Sequence, residues 1–167
     1  ALGHSTQITA YDLNGNPLTV IDANGAVTTL TYDPRQRLTA RQIGSELTSY
    51  QYDGVGQLTK ITLPDGRYLN YTYDPAHRLT DITDALGNTV HYTLDAMGNR
   101  LRDDVRDPAG QLARTRQRVY DALNRLAQDI GAQNQITAYQ YDANGNRSKL
   151  TDPLNHSTVS TYDALNR

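Results

Sequence analysis

The sequence predicts an all-β fold: an array of antiparallel β-hairpins, repeating about every 21 residues, that forms a curved and twisted strip. The first observation is the dipeptide Tyr-Asp, which recurs at intervals of 21, 20, 21, 47, 21 and 21 residues. The second is an alternation of apolar and polar residues between these pairs, and the third is turn chemistry at regular spacing. A fixed period of this kind indicates a repeat protein and argues against a single catalytic pocket.

The Tyr-Asp pair marks each repeat, and Leu94-Asp95 acts as a degenerate copy that divides the long interval into 21 and 26 residues. Our interpretation is structural. Tyr packs across neighbouring hairpins, and Asp caps the turn that follows it through an Asx-type hydrogen bond. The predicted repeat motif comprises Tyr11, Asp12, Tyr32, Asp33, Tyr52, Asp53, Tyr73, Asp74, Leu94, Asp95, Tyr120, Asp121, Tyr141, Asp142, Tyr162 and Asp163.

The clearest repeat runs from Tyr73 to Leu94 and shows the order of its elements. A turn at the Tyr-Asp pair leads to a strand over 79–83, a second turn over 84–88 and a second strand over 89–94. The same order predicts strands over 58–62 and 68–73. The segment 121–128 has helical propensity, but its register with the other copies predicts a turn that leads into a strand.

The second strand of each repeat alternates between two faces. Leu69, Tyr71 and Tyr73 point one way, whereas Asn70 and Thr72 point the other way. This period of two predicts an antiparallel sheet with one apolar and one wet face. In the first strands the apolar residues, such as Leu79 and Ile82, lie three positions apart, and a β-bulge would bring them to one face.

Dipeptides that end in glycine predict tight turns between these strands. Asn-Gly and Asp-Gly accept the positive φ that tight hairpin turns require. They occur at Asn14-Gly15, Asn24-Gly25, Asp53-Gly54, Asp65-Gly66 and Asn144-Gly145.

The 26-residue copy, from Asp95 to Asp121, is rich in arginine. We expect it to have a longer first turn and longer strands than the others. Arg114, Arg116 and Arg118 fall on one face of a strand. The face is interpreted as a solvated outer surface whose charge is balanced by Asp103, Asp104 and Asp107; the alternative is a basic patch that contacts a partner or a neighbouring wall.

The whole chain, residues 1–167, is predicted to be a single array of about seven hairpin repeats, truncated at both ends. Seven hairpins give about 14 strands, which at ~4.8 Å each make a strip about 65 Å long. A sheet of that width twists and curls. One hairpin cannot bury its own apolar face, so stacked neighbours supply the core.

Composition excludes several classes of function. The net charge of -2 gives no reason to expect binding to nucleic acid or to an anionic membrane. The absence of cysteine excludes disulfides and thiolate chemistry. No apolar run approaches the ~20 residues of a membrane-spanning helix.

The sequence contains residues that resemble parts of metal or catalytic sites, but each candidate lacks the other residues that such a site requires. Asp12 and Asp142 each begin an Asp-x-Asn-x-Asn run like the start of a calcium loop, but the required glycine and glutamate are absent. His4, His77, His91 and His156 are scattered without a second ligand at metal spacing. No Gly-x-Ser-x-Gly elbow is present. We therefore expect no enzyme activity, no metal and no cofactor.

The repeated Tyr-Asp-x-x-(Gly/Asn)-(Arg/Asn)-Leu pattern, followed by an Asp-x-x-Gly turn, resembles the YD-repeat or RHS (rearrangement hot spot) family. The copies that carry the resemblance begin at Tyr11, Tyr52, Tyr73, Tyr120 and Tyr141, and together they cover essentially the full chain. Members of the family wind β-strips into a hollow shell. In bacterial polymorphic toxins that shell encloses a variable C-terminal toxin, and in animal teneurins it belongs to an adhesion protein.

The resemblance implies a structural wall segment that encapsulates a C-terminal toxin in a secreted or cell-surface bacterial protein. Its expected partners are the rest of the shell and the enclosed toxin, with no nucleic acid and no membrane insertion. The alternative is a cell-surface adhesion or carbohydrate-binding module. Asp107-Pro108-Ala109-Gly110 is similar to the family's self-cleavage element, but it occupies an ordinary turn position in mid-array.

Two further expectations concern burial and assembly. Shell packing buries the apolar-face tyrosines, such as Tyr71, Tyr73, Tyr139 and Tyr141, whereas sugar-binding platforms expose them. The segment 6–11 carries no charge, so nothing local blocks strand pairing there. We expect self-association through sheet edges, or an apolar face covered by a second copy.

Overall fold

The computed structural model describes residues 5–167, and His4 lies outside them. Within this range the chain forms β-strands joined by short turns, and it contains no helix. The strands are β1 (Gln7–Tyr11), β2 (Pro17–Ile21), β3 (Val27–Tyr32), β4 (Leu38–Ile43), β5 (Glu46–Tyr52), β6 (Leu58–Thr62), β7 (Tyr68–Tyr73), β8 (Leu79–Asp84), β9 (Thr89–Leu94), β10 (Arg100–Arg106), β11 (Leu112–Tyr120), β12 (Leu126–Ile130), β13 (Ile136–Tyr141), β14 (Arg147–Thr151) and β15 (Ser157–Val159).

The strands form one antiparallel sheet in which each strand neighbours the next along the sequence, from β1 to β15. The all-β fold predicted from the sequence is confirmed. So are the strands predicted at 58–62, 68–73, 79–83 and 89–94, and the turn and strand at 121–128.

The chain divides into two compact units. One contains the described residues up to Thr72 together with Thr83–Ala85, and it holds strands β1 to β6 in full. The other contains Tyr73–Ile82 and Leu86–Arg167, and it holds strands β9 to β15.

A five-residue turn is the main connector between strands. In the turn that begins at Asp121, the Asp121 N–H donates to the Arg125 carbonyl at 2.9 Å, and the Asn124 N–H donates to the Asp121 carbonyl at 3.0 Å. The fourth residue of the turn adopts positive φ. Besides glycine, this position holds Gln36, His77, Asn124, Asn134, Asn155 and Asn166, with φ between 60° and 65°.

A β-bulge that brings the apolar residues to one face follows the Tyr-Asp turns. In the pairing of β5 with β6, Gln51 lies opposite Lys60 and Tyr52 lies opposite Leu58, so Thr59 is an extra residue. The extra residue brings Leu58 and Ile61 to the same face although they are three positions apart. Equivalent register shifts occur at the start of β4, β12 and β14.

The sheet has little interior of its own. Among the described residues no apolar side chain is buried, and Asp104, at 5% exposure, is the one buried residue. Tyr71, Tyr73, Tyr139 and Tyr141 are half-buried, so the expectation that they are buried is wrong for this chain. The physical reason is that a single sheet layer covers only one side of each ring, and a core requires a second layer.

The conformational demand of the turns can be measured at Gly145. Its φ is 88°, and nothing lies within 4 Å of the position that a Cβ would occupy. We expect Gly145→Ala to lower the free energy of unfolding by about 1 kcal/mol, because an L-residue is strained in the left-handed region. Gly54 has equally open surroundings and no positive φ, so Gly54→Ala is the matched control. Equal effects of the two changes in urea denaturation would contradict the explanation.

Candidate functional site

The Tyr-Asp turns are the most regular chemical feature of the chain, and each is organised by its aspartate. In the turn at Asp121, Oδ1 accepts the N–H of Leu123 and the N–H of Arg125, both at 2.9 Å. This Asx geometry satisfies two donors that the reversal of the chain leaves without a strand partner. The same two bonds are made by Asp12, Asp33, Asp53, Asp74, Asp95, Asp142 and Asp163.

The second carboxylate oxygen binds the side chain four residues later. Asp121 Oδ2 accepts from Arg125 Nε at 2.8 Å, and Asp142 Oδ2 accepts from Asn146 Nδ2 at 3.0 Å. Arginine or asparagine holds this position in every Tyr-Asp turn for which the bond is seen, namely those of Asp12, Asp33, Asp74, Asp95, Asp121, Asp142 and Asp163. The aspartate therefore fixes both the turn and the direction of a long polar side chain.

That polar side chain contacts the next repeat. The Arg125 guanidinium lies 4.5 Å from the centre of the Tyr141 ring and donates to the Asp142 carbonyl at 3.5 Å. In the other unit, Arg37 lies 4.6 Å from the Tyr52 ring centre. A cation over an aromatic face is attracted by the negative potential of the ring.

Asparagine makes the link between some turns. Asn146 Nδ2 donates to Asn166 Oδ1 at 2.7 Å, and Asn99 Nδ2 donates to Asn124 Oδ1 at 3.2 Å. Each pair joins the fifth residue of one turn to the positive-φ residue of the next Tyr-Asp turn. Neighbouring turns are thus connected through side chains as well as through the strands.

Tyrosine hydroxyls complete the connection in the opposite direction along the chain. The Tyr52 hydroxyl donates to the Leu38 carbonyl at 2.8 Å, and the Tyr141 hydroxyl donates to the Leu126 carbonyl at 2.9 Å. The acceptor in each case is the residue five positions after the aspartate of the preceding repeat. Equivalent bonds are donated by Tyr32, Tyr120 and Tyr162.

The degenerate copy keeps the turn but not the hydroxyl. Asp95 Oδ1 accepts the N–H groups of Met97 and Asn99, and Leu94 pairs with Arg100 across the turn as a tyrosine does in other copies. A leucine cannot donate a hydrogen bond to the preceding repeat.

In the 26-residue copy, the strand lengths agree with the prediction from the sequence, but the length of the first turn does not. Its strands are long, as expected, with seven residues in β10 and nine in β11. The expectation of a longer first turn is wrong, because residues 95–99 form the ordinary five-residue turn. The five additional residues of the repeat therefore extend the hairpin and leave its first turn unchanged.

The ionised state of the turn aspartates is favoured by folding. The backbone N–H of Arg125 lowers the pKa of Asp121 below its ordinary value of 3.8, with further help from the Arg125 side chain. The hydrogen bond from Asn146 is the largest effect that lowers the pKa of Asp142. The pKa values of Asp33 and Asp74 are lowered chiefly by the N–H groups of Arg37 and Arg78.

These shifts predict a loss of stability in acid. Because the folded-state pKa lies below the unfolded value, the stabilisation is fully present above about pH 4 and is lost as pH falls through the lowered values. We expect the thermal midpoint to be level between about pH 5 and 7 and to drop steeply below about pH 4. Asp121→Asn should make the drop shallower. An unchanged midpoint at about pH 3 would contradict the prediction.

A charged cluster on β10, β11 and β12 interrupts the tyrosine-bearing face. Asp103 lies opposite both Tyr92 and Arg116, so it shares the face of Tyr92. Arg118 Nη2 donates to Asp103 Oδ2 at 2.8 Å, and Arg116 Nε donates to Asp129 Oδ1 at 2.7 Å. The hydrogen bond with Asp129 raises the pKa of Arg116 and lowers that of Asp129.

The expected charge balance of this region is therefore corrected. Arg114, Arg116 and Arg118 do share one face, but it is the face of the tyrosines, and Asp129 supplies part of the balancing charge. Asp104 lies on the opposite face, because consecutive strand residues alternate. Asp107 caps its own turn by accepting the N–H groups of Ala109 and Gln111, which is the ordinary role of a turn aspartate here.

Asp104 forms a compact network on that opposite face. Its Oδ1 accepts from Thr115 Oγ1 at 2.7 Å and from Arg102 Nε at 2.7 Å, and Arg106 Nη2 lies 3.5 Å from Oδ2. Burial opposes ionisation of Asp104, but the bonds from Thr115 and Arg102 outweigh it, so the pKa of Asp104 is lowered.

The histidines in the described range lie in turns or on an exposed strand position. His77 occupies the positive-φ position of a turn, and His91 Nδ1 lies 2.7 Å from Asp81 Oδ1. His156 is the fifth residue of a turn and lies 3.1 Å from Asp152. Within residues 5–167 no group of three acidic or histidine side chains could hold a metal ion, and no helix could cross a membrane.

Sequence reasoning missed the residue four positions after each aspartate. Its signal was present, because Arg or Asn recurs there at Asn16, Arg37, Arg78, Asn99, Arg125, Asn146 and Arg167. We interpreted it only as part of a turn motif. The spacing alone does not reveal that Arg37 and Arg125 lie over the tyrosine ring of the next repeat.

Comparison with known families gives a match across most of the chain. The profile of the RHS Repeat family matches residues 11–46, 42–68, 52–89, 73–118 and 120–157. No curated protein matches the chain in sequence.

Solved structures share the fold. The crystal structure of TcdB2-TccC3-Cdc42 is 22% identical, with a TM-score of 0.78 over 96% of this chain and 10% of that chain. The crystal structure of TcdB2-TccC3 without its hypervariable C-terminal region is 22% identical, with a TM-score of 0.77 and the same coverage. A Photorhabdus luminescens Tc holotoxin pore structure is 21% identical, with a TM-score of 0.77 over 96% of this chain and 10% of that chain. The chain thus spans about a tenth of the length of these structural relatives.

Proposed function

The chain belongs to the RHS repeat family, and from this premise we propose that it is a segment of a structural shell that encloses a C-terminal toxin. The proposal includes a single repeat array over residues 1–167 and a secreted or cell-surface location as part of a larger exported bacterial protein. It assigns the segment no enzymatic turnover and no cofactor.

One observation carries the wall function: a recurring set of contacts joins neighbouring repeats within each compact unit. An aspartate holds a polar side chain against the next repeat, and the next tyrosine donates back to the carbonyl at the end of the turn. Such a unit can be added many times without a new interface, which suits a wall that grows by repetition. In this proposal the Tyr-Asp residues of all eight copies are structural.

The half-buried tyrosine face is a second observation in favour of the proposal that the shell encloses a toxin. Among the described residues no apolar side chain is buried, so this face requires cover from further protein. A shell provides such cover through its other walls and its contents. One of the structural relatives was crystallised without its hypervariable C-terminal region, and a variable cargo at that end fits the same arrangement.

Limited proteolysis of the full-length parent protein tests enclosure. We expect the C-terminal segment to resist digestion while the repeat region is intact, and to be cut rapidly when expressed alone. Equal digestion rates in the two forms would reject encapsulation. The isolated segment serves as the control for intrinsic sensitivity to the protease.

A second candidate function is a cell-surface adhesion or carbohydrate-binding module. The observation that favours it is the partial exposure of the tyrosine rings, since rings on one face can stack on sugars. Tyr11 is 56% exposed and Tyr162 is 39% exposed. A glycan array would test it, and binding that is lost in Tyr11→Ala and kept in Tyr139→Ala, which removes a half-buried ring, would favour this function over the wall.

The isolated chain should self-associate. Within the described residues, the outer strands β1 and β15 each have one strand neighbour, and neither strand contains a charged residue. Unpaired strand edges without charge invite pairing with another chain. We expect light scattering to show a mass that rises with concentration, and that Ile8→Lys reduces the rise. A monomeric mass at high concentration would contradict the prediction.

A further inference from the structure

The hairpin of β10 and β11 leaves part of a strand open on one side. β11 pairs with β10 over residues 112–117, but it pairs with β12 only over residues 117–120. Residues 112–116 therefore have a strand on one side and, among the described residues, no strand on the other. Nor do they form a backbone hydrogen bond with the neighbouring turn 131–135. This internal edge, residues 112–116, presents backbone donors and acceptors outward.

The length of the hairpin produces this edge. β11 has nine residues, whereas β12 has five and ends at the turn that begins with Gly131. Because the hairpin of β12 and β13 is shorter than that of β10 and β11, a notch lies beside β11 where β12 ends. It contains a cavity of about 170 Å³ lined by Asp103, Arg114, Thr115, Arg116, Gly131 and Ala132. That volume is below the ~300 Å³ at which small-molecule pockets begin, so the notch suits a side chain better than a cofactor.

The notch is positively charged. Arg118 is paired with Asp103, and Arg116 is paired with Asp129. One of the three arginines on this face of β11 therefore has no ion pair. That residue is Arg114, whose exposed side chain forms no hydrogen bond or ion pair within residues 5–167. Arg116 also keeps 53% of its side chain exposed despite its ion pair. A carboxylate that entered the notch would meet the forked donors of an unpaired guanidinium.

From the open edge and the unpaired arginine together, we propose that residues 112–116 bind an extended acidic polypeptide segment by strand addition. The backbone of the segment pairs with the internal edge, and an alternate side chain of Asp or Glu reaches Arg114 through the notch. Strand addition obtains affinity from main-chain hydrogen bonds and specificity from alternate side chains. The inference deepens the proposed wall function, on which it rests, by naming the chemistry of a contact between the wall and another polypeptide.

A labelled peptide tests the site on the chain itself. The probe is a short synthetic peptide in which glutamate alternates with valine, and its matched control has glutamine in place of glutamate. Fluorescence anisotropy measures the dissociation constant, and amide chemical shifts locate the site. We expect shifts centred on residues 112–116 and an affinity that falls as salt is added.

Two arginine variants give the decisive comparison. Arg114→Gln should weaken binding about five-fold, the effect of one surface ion pair. Arg41→Gln is the control, because Arg41 is also exposed and lies on the face of Leu30, and its side chain forms no hydrogen bond or ion pair in the described range. Neither change removes a structural contact, so both variants should fold as the parent does.

Several results would overturn the proposal: no binding, equal binding of the glutamine peptide, equal effects of the two variants, shifts confined to β1 and β15, or stronger binding of a single-stranded oligonucleotide. These outcomes are separable from the proteolysis test of the shell. The peptide experiment reports on one edge of this chain, whereas protection of a C-terminal segment depends on the full-length protein. A shell that protects its cargo without peptide binding would reject this inference alone.

Discussion

Tyr52→Ala should lower the free energy of unfolding by about 2 kcal/mol. The ring of Tyr52 contacts the guanidinium of Arg37 at 4.6 Å, and its hydroxyl donates to the Leu38 carbonyl at 2.8 Å. Desolvation by the surrounding protein raises the pKa of Tyr52, which agrees with a partly enclosed hydroxyl. Full burial of an aromatic ring would give a loss of about 3–5 kcal/mol, and half-burial reduces it. Urea denaturation of the purified chain measures the change.

Two further variants separate the ring from the hydroxyl. Tyr52→Phe keeps the ring over Arg37 and removes one hydrogen bond, so we expect a loss of about 1 kcal/mol. Tyr11→Phe is the control, because the Tyr11 hydroxyl makes no hydrogen bond within residues 5–167 and the residue is 56% exposed. A neutral Tyr52→Ala would show that the connection between repeats depends on the strands alone.

Asp104→Ala should be similarly destabilising, with a loss of about 2–3 kcal/mol at neutral pH. Removal of the carboxylate leaves the charges of Arg102 and Arg106 close together without their shared partner, and it leaves Thr115 without its acceptor. Loss of one member of a buried ion pair costs about 3–5 kcal/mol, and the 41% exposure of the two arginine side chains reduces that figure.

An exposed ion pair provides the comparison for Asp104. Asp65 pairs with Arg67, whose side chain is 73% exposed, so Asp65→Ala should change stability much less. Asp104→Asn keeps the shape of the side chain and part of its hydrogen bonding, and we expect an intermediate loss. If Asp104→Ala and Asp65→Ala had equal effects, burial would not be the reason for the importance of Asp104.

These two predictions concern different means of stabilising a sheet that has no core of its own among the described residues. Tyr52 connects one hairpin to the preceding one, whereas Asp104 joins β10 to β11 within a single hairpin. A single sheet layer with half-buried rings relies on such local contacts.

The period and the turn chemistry were determined by the sequence alone. Tyr-Asp pairs at a fixed spacing, with glycine or asparagine in the turns, require a chain reversal at each copy, because positive φ is accessible to few residue types. The alternation of Leu69, Tyr71 and Tyr73 with polar residues specified an antiparallel strand with two different faces. Both kinds of evidence are local, since they depend on residues within one repeat.

Only the tertiary structure decided what lies beside each turn. Arg125 reaches Tyr141, and the Tyr141 hydroxyl returns to Leu126, through contacts that cross from one repeat to the next. The length of β11 relative to β12 likewise decided that Arg114 stands at an open edge, and the strand register decided that Asp129 rather than Asp104 pairs with Arg116. Distances across strands depend on register and on bulges, and a one-residue shift moves every side chain to the other face, which no spacing along the sequence reveals.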